Sequence, residues 1–477
     1  MVSTLSVPVA LGEHVQHVLE TLPTPKPASL PVQNPSRAFW THSAPDANPL
    51  AKEGSAGTLV DDADVCIIGS GITGVSAAYH LANAVKANAN LGPLKAVIVD
   101  ARDFCRNGGH LASHNFLEYT ANVAAFGPED ARRAVDIENY VVSELVRLIK
   151  TEGLENAVDL VEAGRTVLLF TEAEEAATRA DHAAAEAAGV DVSTTEWLSK
   201  EDVEARYGAT YPGVRLPANN LWPLKLVTEL FRLARNATPS FELRLHTHTP
   251  ATAVAPSAQG SRRRWTVATP RGAIACAYVI HATNGYASHL LPQLAGPAGI
   301  VPTRGQILAT RANATAAALG TSGFAANEGF EYWFPRPVAD PTKERPLVIV
   351  GGGREAAEAP DFLPGVFPGK YAEGAEPEME WTGIMGFTSL GDPFVGPVLD
   401  KFDGSGRGSA YEGQYIAAGY TGHGMPRAYA CAEVVAGMVA AQLEGREWAA
   451  PGWLPLHYLT TQRAEARTRE ELIRARG

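Results

Sequence analysis

Cysteine is scarce in this chain: 477 residues hold four, Cys66, Cys105, Cys276 and Cys431, far apart and with no CxxC pair. That spacing excludes a cysteine-built metal site and fits free thiols in a reducing compartment. Positive charge is also in deficit. A formal net charge of -12 sets the surface against phosphate backbones and anionic lipid heads, so nucleic acid is not an expected partner. No window approaches the roughly 18 uninterrupted apolar residues of a membrane helix. The N-terminus lacks the basic cluster and apolar stretch of a secretory leader, so a soluble, cytoplasmic protein is expected. The final residues, Ile473 to Gly477, do not spell an SKL address, which makes the peroxisome the weaker alternative.

What is present is enough apolar material, 45% of the residues, for one large core or two fused ones. Residues 1–59 carry eight prolines and no sustained periodicity, which reads as an extended arm with Phe39 and Trp40 as docking points. From Asp64 the pattern becomes strand (VCIIG), glycine turn (SGITG), helix (VSAAYHLANAV) and strand (AVIVD), the alternation of a parallel sheet with crossover helices. Pro128 to Lys150 predicts a long amphipathic helix, with Ala134, Ile137, Val141, Leu145 and Leu148 at three- and four-residue steps. The Ala- and Glu-rich stretch from Glu172 to Ala188 predicts an exposed helix. Strands dominate from Phe241 to Ala282, and Thr269-Pro270-Arg271-Gly272 supplies a hairpin turn. Strands such as GQILAT and EYWF follow, and the chain closes with strand QYIAAG, a glycine-rich turn and a helix from about Arg427 to Glu444. A chain that begins and ends with strand-turn-helix units builds one domain from both ends.

Gly69-Ser70-Gly71-Ile72-Thr73-Gly74 matches GxGxxG. The string alone is weak, but an apolar strand precedes it, a helix follows it, and Asp100 ends the next strand. Gly69 allows the tight turn, Gly71 admits a pyrophosphate to the backbone N–H groups, and Gly74 lets helix pack on strand. The helix N-terminus adds roughly half a positive charge toward the phosphates. Asp100 can accept from the adenosine ribose hydroxyls and would repel a 2′-phosphate.

Three further segments, Arg106-Asn107-Gly108-Gly109-His110, YVIHATNGY from Tyr278 to Tyr286, and Gly419-Tyr420-Thr421-Gly422-His423-Gly424-Met425, join this motif in order and spacing. Together they resemble the FAD-dependent D-amino-acid oxidase superfamily over nearly all of residues 64–443. Trp381 to Pro397 resembles the strand by which that family leaves its substrate domain. The resemblance implies an α/β fold: a Rossmann-like FAD-binding domain (60–152, 225–295 and 381–450) with an interleaved mixed-sheet α+β substrate domain (153–224 and 296–380) and a C-terminal tail (451–477). It implies noncovalent FAD held by Gly69, Ser70, Gly71, Ile72, Thr73, Gly74, Asp100, Ala101, Arg102, Arg106, Asn107, Gly108, Gly109 and His110. Val254, Ala282, Thr283, Asn284, Gly422, His423, Gly424 and Met425 complete the implied set.

Two departures from the family pattern stand out. Cys105 is followed directly by Arg106, where the family carries a short Ser/Gly/Ala/Thr-rich run that wraps the pyrophosphate. Ile384 and Met385 stand where members acting on D-amino acids or glycine place a carboxylate-clamping Arg, so the GHG turn points closer to gamma-glutamylputrescine oxidase-like amine oxidases.

The implied reaction passes hydride from a C–N carbon of an amine or amino acid to flavin, with O2 as the acceptor giving hydrogen peroxide. Candidate residues are His423, whose ordinary pKa near 6.5 suits accepting an amine proton, and Tyr332 and Trp333, whose ring faces attract an ammonium. Arg304 and Arg336 are candidates for an acidic substrate tail. The spacing of His110 and His114 gives no metal motif. Two rival readings stay open: a dehydrogenase passing electrons to another acceptor, and a non-catalytic descendant with weakened FAD binding that acts as a binding protein. Oligomeric state is not legible.

Overall fold

The turn at Gly69 sits on the central strand of a parallel sheet, and the rest of the fold is arranged around that placement. The computed structural model describes residues 26–105, 109–259, 261–327, 331–352, 359–374, 376–402 and 406–463. In chain order its strands are β1 (Asp62–Ile68), β2 (Leu94–Val99), β3 (His110–Leu111), β4 (Arg165–Leu168), β5 (Glu196–Leu198) and β6 (Gly213–Leu216). Then come β7 (Asn219–Asn220), β8 (Phe241–His246), β9 (Ala253–Pro256), β10 (Trp265–Thr269), β11 (Gly272–His281) and β12 (Val301–Arg311). The last are β13 (Gly323–Ala326), β14 (Glu331–Pro335), β15 (Leu347–Gly351), β16 (Met379–Phe387), β17 (Phe394–Pro397) and β18 (Gln414–Ala418).

The first sheet runs β17-β18-β11-β1-β2-β8, with the β9–β10 hairpin added to β11. β8, β2, β1, β11 and β18 pair in parallel. Val65, Cys66 and Ile67 of β1 and Val97, Ile98 and Val99 of β2 are fully buried, the near-continuous apolar reading of strands covered on both faces. Helix Ile72–Ala87 crosses from β1 to β2, burying Ala77, Ala78, Leu81, Ala82 and Val85 beneath helices Pro223–Arg235 and Ala428–Leu443. The hairpin falls where the turn chemistry places it, with Thr269 opposite Gly272 across Pro270 and Arg271.

The second sheet runs β16-β12-β15-β14-β13-β4-β6-β5 and is mixed: β4 and β13 are parallel and the other pairs antiparallel. Helix Glu172–Ala187 flanks it, opened by a capping box in which Thr171 Oγ1 accepts from the Glu174 N–H. β16 pairs with β12 along its length, so the chain re-enters the first sheet only after Phe387, at β17. This lies later than position 381, the boundary read from sequence.

Helix Pro128–Thr151 buries Val135, Ile137, Val141, Leu145 and Leu148 on one face, and with them Glu138. Among the described residues ahead of β1, residues 26–38 lead without regular structure into a short helix, Phe39–His42, and residues 43–57 follow largely in turns and bends. Trp40 is buried there against Trp222 and Phe334, and its carbonyl accepts from Trp222 Nε1 at 2.9 Å. Among the described residues no helix is long and apolar enough to cross a membrane.

Candidate active site

A cavity of about 1250 Å³ lies between the two sheets and reaches from the glycine turn after β1 to the face of the second sheet. Gly69, Gly71, Ile72, Thr73, Asp100, Ala101 and Arg102 line one end of it. The three glycines serve separate needs. Gly69 has φ +111°, and a β-carbon on it would meet the Ala282 carbonyl oxygen at 2.5 Å. A β-carbon on Gly74 would lie 1.9 Å from the Gly69 oxygen, so only glycine lets this helix close on its strand. A β-carbon on Gly71 would meet nothing within 4 Å. The cradle there is open to the cavity.

Gly71 is also the N-cap of helix Ile72–Ala87, with no side-chain cap and no acidic residue in the first turn. Its first N–H groups are therefore available to an anion. Asp100 Oδ2 accepts from the Ser70 N–H (2.8 Å) and Oγ–H (2.7 Å), and Oδ1 accepts from the Arg102 N–H (2.9 Å). Asp100 thus ties the turn to the end of β2. With about four lone-pair sites on a carboxylate, it keeps capacity for one ribose hydroxyl. Cys105, buried with φ +52°, donates its N–H to Ser70 Oγ, and burial pushes its thiol well above the usual range. Arg106, Asn107 and Gly108 lie outside the described residues. Gly109 and His110 line the cavity.

Ala282, Thr283 and Asn284 continue the same wall, whereas Val254 does not. It sits on the β9–β10 hairpin opposite Val267 and packs under the first sheet, and Ala251 reaches the cavity instead. Asn284 Oδ1 accepts from the Gly419 N–H at 2.9 Å, linking the loop after β11 to the loop after β18. Thr421 to Ala428 line the cavity where helix Ala428–Leu443 begins. Its first turn opens on the Gly424 carbonyl, which accepts from the Ala428 N–H at 2.8 Å. Thr73 Oγ1 and the Tyr420 hydroxyl share a 3.0 Å hydrogen bond and so join the two glycine-rich turns. These features together fit FAD: a bare helix N-terminus with an open glycine cradle at one end, a second helix N-terminus further along, and a cavity long enough to connect them to another sheet.

The second sheet supplies the far wall. Tyr332, Phe334, Ile349, Ile307 and Trp381 face the cavity. Trp333 does not, because neighbouring residues on a strand point to opposite faces. Its ring is stacked on Phe324 (5.4 Å, 5° between planes) in the core behind the sheet, so the expectation of Trp333 at the reaction site is corrected. Tyr332 lies over Gly351, where a β-carbon would meet its ring at 2.3 Å, and stacks at 5.9 Å on His110. Arg304 is exposed at the cavity rim. Arg336 is turned away, sealed between Trp40 and Trp222 and ion-paired to Asp159 at 2.6 Å.

His423 lines the cavity but is not the proton acceptor expected from an ordinary histidine. Its Nε2–H donates to Glu138 Oε2 (3.2 Å) and its ring stacks on His114 at 3.7 Å. Burial, with His114 and Arg427 adding to it, pushes its pKa down to about 3. Glu138 is the hub: the His114 N–H and Arg427 Nε also donate to it, at 2.6 Å and 2.8 Å. Although burial by itself would raise it, the Arg427 charge and the hydrogen bond from His114 hold its carboxyl well below the usual range. His114, Glu138 and His423 offer three donor atoms within 4.8 Å of one another, a grouping that sequence spacing did not show. Arg427 already neutralises the carboxylate.

Sequence reasoning also missed Arg165, at the start of β4 and on the cavity wall. Its only signal was a charge opening an otherwise apolar run, RTVLLF. Glu138 had a similar one, since it falls inside the apolar stripe of its helix.

A parallel sheet with a bare-ended crossover helix, joined through one cavity to a mixed sheet, defines a two-sheet dinucleotide-binding protein. Residues 64–438 match the family described as DAO, FAD dependent oxidoreductase, and the chain belongs to that family. The fold is shared with glycine oxidase from Geobacillus kaustophilus (19% identity, 82% of this chain and 97% of that one, TM-score 0.60). It is shared also with L-amino acid deaminase from Proteus vulgaris (18% identity, 87% and 97%, TM-score 0.61). L-proline dehydrogenase from P. horikoshii is a third such structure (16% identity, 84% and 98%, TM-score 0.60). Among curated proteins no significant match is found.

Proposed function

We propose that this protein binds FAD noncovalently and oxidises the C–N bond of a small amine or amino acid, with O2 as acceptor and hydrogen peroxide as product. The observation that carries the reading is the single cavity joining the Gly69–Gly74 turn to the aromatic face of β14. Bound flavin would accept hydride from the carbon that bears the nitrogen. The side chains then have to bind, orient and keep water out, and positioning supplies much of the barrier reduction. Tyr332 and Phe334 offer ring faces to the substrate, and Trp40 walls the cavity beside them. His423, neutral and fixed by Glu138, orients the turn that starts the last helix. The structurally similar glycine oxidase, L-amino acid deaminase and L-proline dehydrogenase, as named, support a C–N substrate.

Anaerobic addition of an amine and amino-acid panel to the FAD-loaded protein tests this. Bleaching of the visible flavin band by at least one compound, with peroxide formed on admitting air, is the expected result. Bleaching with no peroxide would move the acceptor from O2 to another carrier. No bleaching by any amine or amino acid would overturn the reading.

A further inference from the structure

The chain ahead of β1 forms part of the cavity wall: residues 28–32, 34–36, 38, 40 and 41 line it. Ser29, Val32 and Asn34 line the cavity and are nevertheless exposed, Val32 at 64%, so the arm here is a single layer of chain. It crosses from one sheet to the other. At one end Ala28 lies on the turn Asn284–His289 that follows β11. Its N–H donates to Ser288 Oγ at 2.9 Å, and its carbonyl, which can only accept, takes the Nδ1–H of His289 at 3.1 Å. At the other end Ser36 Oγ accepts from the N–H of Thr382 on β16 at 2.9 Å.

The stretch is held unequally. Just beyond Ser36, Trp40 is 4% exposed, packed against Trp222 and Phe334, with its carbonyl bonded to Trp222 Nε1. The Ala28 end has two hydrogen bonds and no comparable buried side chain. Between Ala28 and Ser36, residues 29–35 make no hydrogen bond among the described residues. Pro27, Pro31 and Pro35 punctuate this stretch. Each lacks an N–H and fixes its own φ, so the segment stays stiff at low entropic cost without a ladder of bonds. A segment with so few buried contacts opens at far lower free energy than the core.

We propose that residues 28–36 are a strap across the cavity, hinged at the Phe39–His42 helix and latched on Ser288 and His289, and that release of the latch admits and frees FAD. The latch follows directly on Ala282, Thr283 and Asn284, part of the wall that fits FAD, and the hinge packs against Phe334 on the opposite wall. Closing it keeps water from the space between the sheets, and ligand exchange waits on its opening. The closure holds whichever amine is oxidised, but its readout in FAD rests on the function proposed above.

Ala28→Cys combined with Ser288→Cys tests the latch, because the hydrogen bond between these residues places them within disulfide reach and the four native cysteines are buried. The protein is loaded with labelled FAD and chased with excess unlabelled FAD, oxidised and after reduction, with the crosslink verified by mass. Release should be roughly tenfold or more slower from the oxidised form, and the reductant should leave wild-type release unchanged. Ser288→Ala removes one latch bond without any crosslink and should speed release several-fold. Equal release from the crosslinked and reduced forms overturns the proposal. Where no crosslink forms, a Ser288→Ala rate equal to wild type overturns it. Protein that holds no flavin in any form overturns the function proposed above instead. The strap is then read on flavin-free Ile307→Cys protein, whose new thiol is on the cavity wall. A bulky maleimide should label position 307 several-fold faster when Ser288→Ala is added, and equal labelling rates overturn the strap.

Discussion

The Nε of Arg427 donates to Oε1 of Glu138 at 2.8 Å, and its Nη1 reaches Asp392 Oδ1 at 2.9 Å. The start of the last helix is thereby bolted to the middle of helix Pro128–Thr151. Removing one partner of a buried pair leaves the other uncompensated. Glu138→Ala should therefore lower unfolding free energy by about 3–5 kcal/mol, read from urea midpoints at constant slope. A loss below about 1 kcal/mol, the scale of a surface pair, would mean that the cluster carries no such burden.

Acid should unfold the protein early. His80, His110, His281 and His423 are all pushed down, to between about 3 and about 4, chiefly by burial. Between those values and the ordinary 6.5 the unfolded chain binds more protons than the folded one, so stability falls as pH drops through this window. The slope is up to about 1.4 kcal/mol per pH unit for each group. Glu138, whose pKa is depressed, adds to the loss once pH falls below its ordinary 4.5. Urea midpoints that are equal at about pH 7 and about pH 5 would contradict this.

The parallel half of the fold was readable because its signals are local. A glycine turn between an apolar strand and a helix spans few residues, and Gly69 and Gly74 answer backbone needs that the Ala282 and Gly69 carbonyls make visible. The polar centre was not readable in this way. His114, Glu138 and His423 are brought together only by packing, and histidine spacing along the chain says nothing of it. Arg165 was passed over because a charge at a strand end ordinarily points to solvent. The placement of Trp333 could have been read correctly: strand alternation alone forbids Tyr332 and Trp333 from sharing a face.

Gly71 and Gly74 should separate binding from folding. Gly71→Ala projects a methyl into open cavity and should leave stability within about 0.5 kcal/mol of wild type while weakening FAD by tenfold or more. Gly74→Ala drives a methyl onto the Gly69 oxygen and should cost about 1–3 kcal/mol or more. Thermal melts of flavin-free protein alongside FAD titrations check both.

Tyr332 and Trp333 should divide in the same manner. Trp333→Ala opens the core shared with Phe324 and Phe367 and should cost about 3–5 kcal/mol. Tyr332→Ala should raise KM for the best substrate several-fold with a smaller stability loss. The reverse pattern in urea midpoints and kinetics would place the site on the other face of the sheet.

Reconstitution with FAD followed by gel filtration reads the function of the Gly69–Gly74 cradle without any substrate. Close to one flavin per chain should stay with the protein, show its visible absorbance band, and be released intact by acid precipitation. Protein that remains folded and emerges colourless would contradict an FAD-binding role for this cavity.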